Sequence, residues 1–217
     1  MRVSRSSAWK GVLYSFSLSI VMGNTFIVTN SYGDTPSKAG SLAQNQNSSA
    51  LLSEILTQVD ISDTVKGRFE QHKYIHILPQ PLISKGVFQL DKKTGLVWQI
   101  NEPVSSRIVF DDTGIHQSEN GQAVWQVSNK RPGVAIIGQL MKAALSYDWA
   151  LLEKHFAING SIDEQVSQRQ WTLTLTPKED SLQHTIKHIT LAGGRQLTQV
   201  ILFEANNDRT EINFDML

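Results

Sequence analysis

From Thr64 onward, apolar and polar residues alternate in successive short runs, the pattern of strands that each bury one face. The runs are Thr64 to Ile77, Ser84 to Asp91, Gly95 to Asn101, Ser105 to Asp111, Gly114 to Ser118 and Gln122 to Val127. After an interruption they resume as Phe156 to Ile162, Arg169 to Thr176, His184 to Leu191, Leu197 to Ala205 and Arg209 to Phe214. Turn chemistry separates them at Lys93-Thr94-Gly95, Asp111-Asp112-Thr113-Gly114 and Asn120-Gly121, the last a strong hairpin signal because both central positions of a tight turn need positive φ. About eleven short strands joined by tight turns predict an antiparallel meander, which at that size curls into a barrel or splits into a sandwich.

The period changes in two places. Ala50 to Val59 puts Leu51, Leu52, Ile55, Leu56 and Val59 on one helical stripe, with Ser48 or Ser49 available as a cap. Between the two sets of strands, "RPGVAIIGQLMKAALSYDWALLEKHF", Arg131 to Phe156, opens on a Pro-Gly breaker. It then runs from Val134 to Leu145 with Gln139 and Lys142 as its only strongly polar residues. A helix so apolar is buried on most of its surface or covers something apolar. A second helix is expected from Trp149 to Lys154, capped by Asp148, with Leu151 and Leu152 facing inward. A helical cover over a barrel mouth fits a filled core and a ligand cavity equally well.

The front of the chain is different. Arg2, Arg5 and Lys10 precede the apolar Gly11 to Val28, the arrangement of a secretory signal. Ser15, Ser17, Ser19, Asn24 and Thr25 interrupt that stretch, whereas a membrane span wants about twenty predominantly apolar residues. A signal peptide over residues 1–33 is therefore expected in preference to an uncleaved anchor, although Ser31-Tyr32-Gly33 and Ser41-Leu42-Ala43 both offer small residues at cleavage spacing. Residues 34–48 read as a flexible polar linker, and the folded domain is expected over 49–217.

Composition removes several classes. With 20 basic and 20 acidic residues there is no net charge to draw in nucleic acid, and none is expected as a partner. The absence of cysteine excludes disulfides, Cys-ligated metal, a thiol nucleophile and lipid attachment to this chain. The sequence carries no nucleophile elbow, zinc-protease helix, phosphate loop or dinucleotide fingerprint, so it is not expected to be an enzyme or to carry a cofactor. His72 and His76, like His184 and His188, share a strand face at four-residue spacing; without a third ligand they are expected to be exposed histidines rather than a metal site. Trp98, Trp125, Trp149 and Trp171 all fall within predicted elements and read as core.

Local sequences then add a family likeness. "VKGRFEQ" at Val65 to Gln71 alternates a small residue, Phe and Gln; "LPQPLISKGVFQLDKKTGLVWQINEP" at Leu78 to Pro103 has a Gly-leading strand, a basic turn, an aromatic strand and a closing Pro. With "SYDWALLEKHFAI", "LTLTPK" and "NNDRTEINF" in the same order, the chain resembles the LolA-type periplasmic carriers of outer-membrane lipoproteins over nearly all of Ser49 to Phe214.

The resemblance implies a mainly β fold, an incomplete antiparallel barrel with a helical lid and one N-terminal helix. It implies a periplasmic, monomeric carrier that takes acylated lipoproteins from a releasing transporter of the inner membrane to an acceptor at the outer membrane. Phe69, Phe88, Leu90, Leu96, Trp98, Ile100, Ile108 and Phe110 would then line the cavity. Val134, Ile136, Ile137, Leu140, Met141 and Leu145 would form the lid, Met141 adapting to irregular partners. In many such carriers an arginine before the aromatic strand bonds to lid carbonyls; Lys92 stands at that position, a point charge in place of a rigid fork. Some members also continue past the final hairpin, whereas this chain stops at Leu217. That keeps open a carrier of another lipid or acylated intermediate, such as a glycolipid, and an interaction protein with a filled barrel.

Overall fold

The computed structural model describes residues 48–119, 121–128, 134–164 and 169–217. The expected signal peptide and nearly all of the linker lie outside the described residues, as do Asn120 and the Arg131-Pro132-Gly133 breaker.

Helix α1 (48–56) leads into six consecutive strands: β1 (Thr64–Tyr74), β2 (Leu82–Asp91), β3 (Gly95–Glu102), β4 (Ser106–Asp111), β5 (Gly114–Glu119) and β6 (Gln122–Ser128). Two helices follow, α2 (Val134–Ser146) and α3 (Trp149–His155), then β7 (Phe156–Asp163), β8 (Gln170–Pro177), a single helical turn α4 (Asp180–Gln183), β9 (Ile186–Gly193), β10 (Leu197–Glu204) and β11 (Arg209–Met216). All strands join one antiparallel sheet in the order β6-β5-β4-β3-β2-β1-β11-β10-β9-β8-β7. The last strand lies beside the first, and β6 and β7 are its two edges, so among the described residues the sheet does not close. The expected fold class is thus observed, with the pair α2–α3 spanning the gap in sequence between the two edges.

Side chains separate by parity. In β3, Leu96, Trp98 and Ile100 are buried while Val97 and Gln99 between them are half-buried. Pairing carries that face across the sheet: Leu90 stands opposite Leu96 and Phe88 opposite Trp98, and on the other side Phe110 and Ile108 take the same places. The β7–β11 half repeats the arrangement with Ile158, Leu173, Leu175, Leu191, Val200 and Ile212. Each such burial is worth about 1.5–3 kcal/mol, so the alternation itself holds the register.

Turns are set by aspartates. Asp91 Oδ1 accepts from the backbone N–H of Lys93 and of Thr94, each at 2.9 Å, and Gly95 completes the turn at φ 108°, open to glycine at little cost. Those two amide bonds, Thr94 first, hold the Asp91 carboxyl below its ordinary pKa. Asp111 does the same with Thr113 and Gly114, the hairpin turn the sequence predicts.

Three expectations need correction. His184 is not in a strand: it caps the turn α4, its Nδ1–H donating to Asp180 O at 2.6 Å, and β9 starts only at Ile186. His76 lies past the end of β1, so neither histidine pair shares a strand face. In α1 the buried apolar residues are Leu52 and Ile55, and Val59 is buried just past the end of the helix, whereas Leu56 in its last position is exposed.

Candidate functional site

The eight residues expected to line a cavity all sit on the buried face of one half-sheet. Phe69, Phe88, Leu90, Leu96, Trp98, Ile100, Ile108 and Phe110 are each at most 4% exposed. Three of their rings cluster with Phe214 of the neighbouring strand β11. Phe69 stacks on Trp98 at 3.9 Å between centroids, Phe88 lies 5.9 Å from Trp98, and Phe214 stands edge-on to both at 5.3 and 6.1 Å. Gly86 makes the stacking possible. It faces Phe69 across β1 and β2, and a Cβ there would come 2.8 Å from Phe69 Cζ and 1.9 Å from the Gln99 carbonyl.

Helix α2 covers part of this face. Leu140, Ala143, Ala144 and Leu145 are buried and Met141 is half-buried; Val134, Ile136 and Ile137 lie on the helix, but their side chains fall outside the described residues. Gly138 packs directly on Phe110 of β4, since a Cβ there would stand 2.7 Å from Phe110 Cδ1. Beside it, Phe110, Asp111, Gly114, Gly138, Gln139 and Lys142 enclose a pocket of about 280 Å³.

The link between α2 and α3 shows a device the sequence does not announce. Tyr147 takes φ 56°, the left-handed conformation that ends helices and usually falls to glycine, and the N–H of Asp148 returns to Ala143 O at 2.9 Å. Asp148 then caps α3, its carboxylate accepting from Leu151 N at 3.1 Å, as expected for that residue. The Tyr147 ring is buried against Trp149 and Trp171. Burial pushes its hydroxyl up to about 12; the negative charge of Asp60 adds to this and the bond from Leu197 N–H opposes it. The far end of α3 is tied as well. His155 Nδ1 lies 2.7 Å from Glu179 Oε1, and the Lys178 ammonium donates to Glu153 O at 2.6 Å.

Lys92, which stands where many such carriers place the arginine that bonds to the lid, pairs with the approach to β1 in this structure. Its ammonium pairs with Asp63 at 3.2 Å and its N–H donates to Asp63 O at 3.0 Å, in the approach to β1.

Sequence reading also missed a polar patch on the buried face. The inward parity of β1 runs Gly67, Phe69, Gln71, Lys73, so two polar residues follow the aromatic floor into buried positions. Lys73 is ion-paired with Glu204 and lies 3.9 Å from Asp208; Thr210 donates to Glu204 at 3.4 Å. Gln71 Oε1 is buried with no hydrogen-bond partner among the described residues. The signal was present as parity in "GRFEQHK", but its partners lie on strands β10 and β11.

No described helix is long and apolar enough to cross a membrane. No curated protein matches the chain. Among solved structures it is similar to a LolA superfamily protein of Nitrosomonas europaea, with 10% identity and a TM-score of 0.43 over 77% of this chain and 91% of that one. A DUF1329 family protein of Desulfovibrio piger aligns at 9% identity and TM-score 0.42 over 78% and 90%. LprF of Mycobacterium bovis aligns at 9% and 0.32 over 84% and 94%. Such values are too low to carry an argument about binding. The profile of a family described as outer membrane lipoprotein carrier protein LolA-like, however, matches residues 46–210, most of the folded domain. The chain therefore belongs to the LolA-like family.

Proposed function

We propose that the protein is a non-enzymatic, monomeric periplasmic carrier, which shelters the acyl chains of lipoproteins on the buried face of its open sheet between an inner-membrane releasing transporter and an outer-membrane acceptor. One observation carries the reading. The β4 end of the buried apolar face, at Phe110, is covered by a helix that follows the edge strand β6 in the chain and takes no part in the strand ladder. A helix held by one glycine contact, one hinge and its own apolar face can move without breaking strand pairing.

Magnitudes favour a self-filled interior. Burying a methylene releases about 0.8 kcal/mol, so several fully sheathed chains would exceed the ceiling of about 20 kcal/mol for noncovalent complexes. A carrier must release its load. Phe69, Phe88 and Trp98 are buried in this conformation, so loading would have to displace the side chains packed on them, and that cost offsets much of the gain. Transfer would then run downhill to an acceptor that fits better.

The test is native mass spectrometry of the mature protein from a periplasmic fraction, followed by solvent extraction. Co-purified triacylated protein supports the lipoprotein carrier. Extractable lipid without protein assigns the fold to another lipid, and an apo mass with no uptake of a fluorescent acyl probe leaves a filled barrel only.

A further inference from the structure

The buried face of β1 changes character along its length. Phe69 belongs to the aromatic patch; Gln71 and then Lys73 follow at steps of two residues, about 7 Å apart along a strand. Opposite them in β11 stand Phe214, Ile212 and Thr210. Position 71 is thus flanked by apolar neighbours below and an ion pair above, and it holds an amide that is 8% exposed with an orphan carbonyl oxygen. A buried acceptor without a donor destabilises the protein that carries it, and an aliphatic residue like Ile212 across the ladder would avoid the loss. Such a group is retained at a cost when something else supplies the donor.

The surroundings define what that donor can be. The Lys73 ammonium is already held by Glu204, whose carboxylate also accepts from Thr210, and Asp208 stands 3.9 Å from the same ammonium. Two carboxylates face one cation, so this end of the face has acceptors in excess. Phosphate and free carboxylate heads are disfavoured there, whereas a neutral hydrogen-bond donor is favoured.

We propose that Gln71, bordered by the Lys73–Glu204–Thr210 cluster, is a head-group subsite: it accepts a hydrogen bond from the first amide N–H or hydroxyl of an acylated molecule whose chain lies on the Phe69–Trp98–Phe88 floor. The subsite rests on the carrier reading above and adds selectivity to it. The donor can belong to a lipid-modified protein end or to a free lipid, and the chemistry is shared.

Three probes separate the cases: methyl palmitate, which has the chain and an ester but no donor; monopalmitoylglycerol, which adds hydroxyls; and an N-palmitoyl peptide amide, which adds amide N–H groups. Each is titrated against the mature protein by displacement of a fluorescent acyl probe. The expected result is about tenfold tighter binding of at least one donor-bearing probe than of methyl palmitate, the equivalent of one buried hydrogen bond. In Gln71→Met that preference disappears, so that the donor-bearing probes bind no more tightly than methyl palmitate, and the empty variant melts about 3 °C or more above the parent because the orphan is gone. Preference for the peptide points to a protein end, and preference for monopalmitoylglycerol to a free lipid. Equal binding of all three by the parent protein overturns the subsite and leaves the carrier reading intact, whether or not the variant folds. Equal loss of all three in a folded Gln71→Met overturns it as well. No binding of any probe removes both.

Discussion

The hydroxyl oxygen of Tyr147 accepts a hydrogen bond from the backbone N–H of Leu197 at 2.8 Å, pinning the link between α2 and α3 to the first residue of β10. Both residues are buried, and Tyr147 holds a left-handed backbone that costs a non-glycine residue of order 1 kcal/mol or more. The hinge of the cover is thus strained and fastened at one residue. Tyr147→Phe keeps the ring among Trp149 and Trp171 but leaves the Leu197 N–H without a partner. The expected loss is about 1–3 kcal/mol in urea unfolding, with faster hydrogen exchange at the Leu197 amide. Unchanged stability and exchange would mean that the bond does not hold the hinge.

The same hydroxyl predicts an alkaline transition. Burial chiefly raises its pKa from 10.0 to about 12 in the folded state. A raised pKa means that the folded protein keeps its proton after the unfolded chain has lost it. The contribution is therefore complete below pH 10 and is lost as pH climbs from about 10 to about 12, on the order of 2 kcal/mol in all. Subtracting the stability profile of Tyr147→Phe from that of the parent removes the lysines common to both. A difference that falls across that window is expected; a flat difference would show that the tyrosine titrates as an exposed one does.

Gly138 sets how closely the cover approaches the aromatic face. In an unobstructed helix, Gly→Ala gains about 1 kcal/mol. Here the added methyl would meet Phe110 at 2.7 Å from Cδ1 and 3.3 Å from Cβ, near the root of a ring that cannot swing away. Gly138→Ala should therefore lose about 1–2 kcal/mol and take up a fluorescent acyl probe faster. Adding Phe110→Leu should restore most of the loss. A stabilising Gly138→Ala would show that α2 does not press on Phe110.

Alternation made the strands legible, because each buries one parity and exposes the other. The register of Leu96, Trp98 and Ile100 followed from the same pattern, as did the Asp148 cap from its place before an apolar run. Features that depend on distant partners did not follow. Lys73 and Glu204 are 131 residues apart, and nothing local says that β11 rather than β6 lies beside β1. The neighbours of His184 look β-like in sequence, while in the structure a helical turn from Asp180 to Gln183, with Leu182 buried, comes before β9. Tyr147 escaped because a helix stop in the left-handed region is normally announced by glycine.

Lys92 offers a negative control for the cover. Its partner Asp63 is almost fully exposed and Lys92 itself partly so, a setting in which ion pairs contribute about 1 kcal/mol at most. Lys92→Ala should leave unfolding within about 0.5 kcal/mol of the parent and cargo release unchanged. Accelerated release with unaltered stability would reinstate Lys92 as a latch, formed in a conformation other than this one.

The Lys73–Glu204 pair gives the sharpest energetic contrast. Both side chains are almost wholly buried, so removing one charge strands the other in a medium that solvates it poorly. Lys73→Met would leave Glu204 beside Asp208 with only Thr210 to donate to it, and a loss of about 3–5 kcal/mol is expected. Replacing both partners, Lys73→Met with Glu204→Leu, removes the stranded charge and should recover most of that loss, since an apolar pair of similar volume often equals or exceeds a buried ion pair. Urea titrations of the two single variants and the double variant close the cycle. If the double variant is as unstable as Lys73→Met, the pair is not compensating buried charge, and the cost must lie in the packing of β1 against β11 and β10.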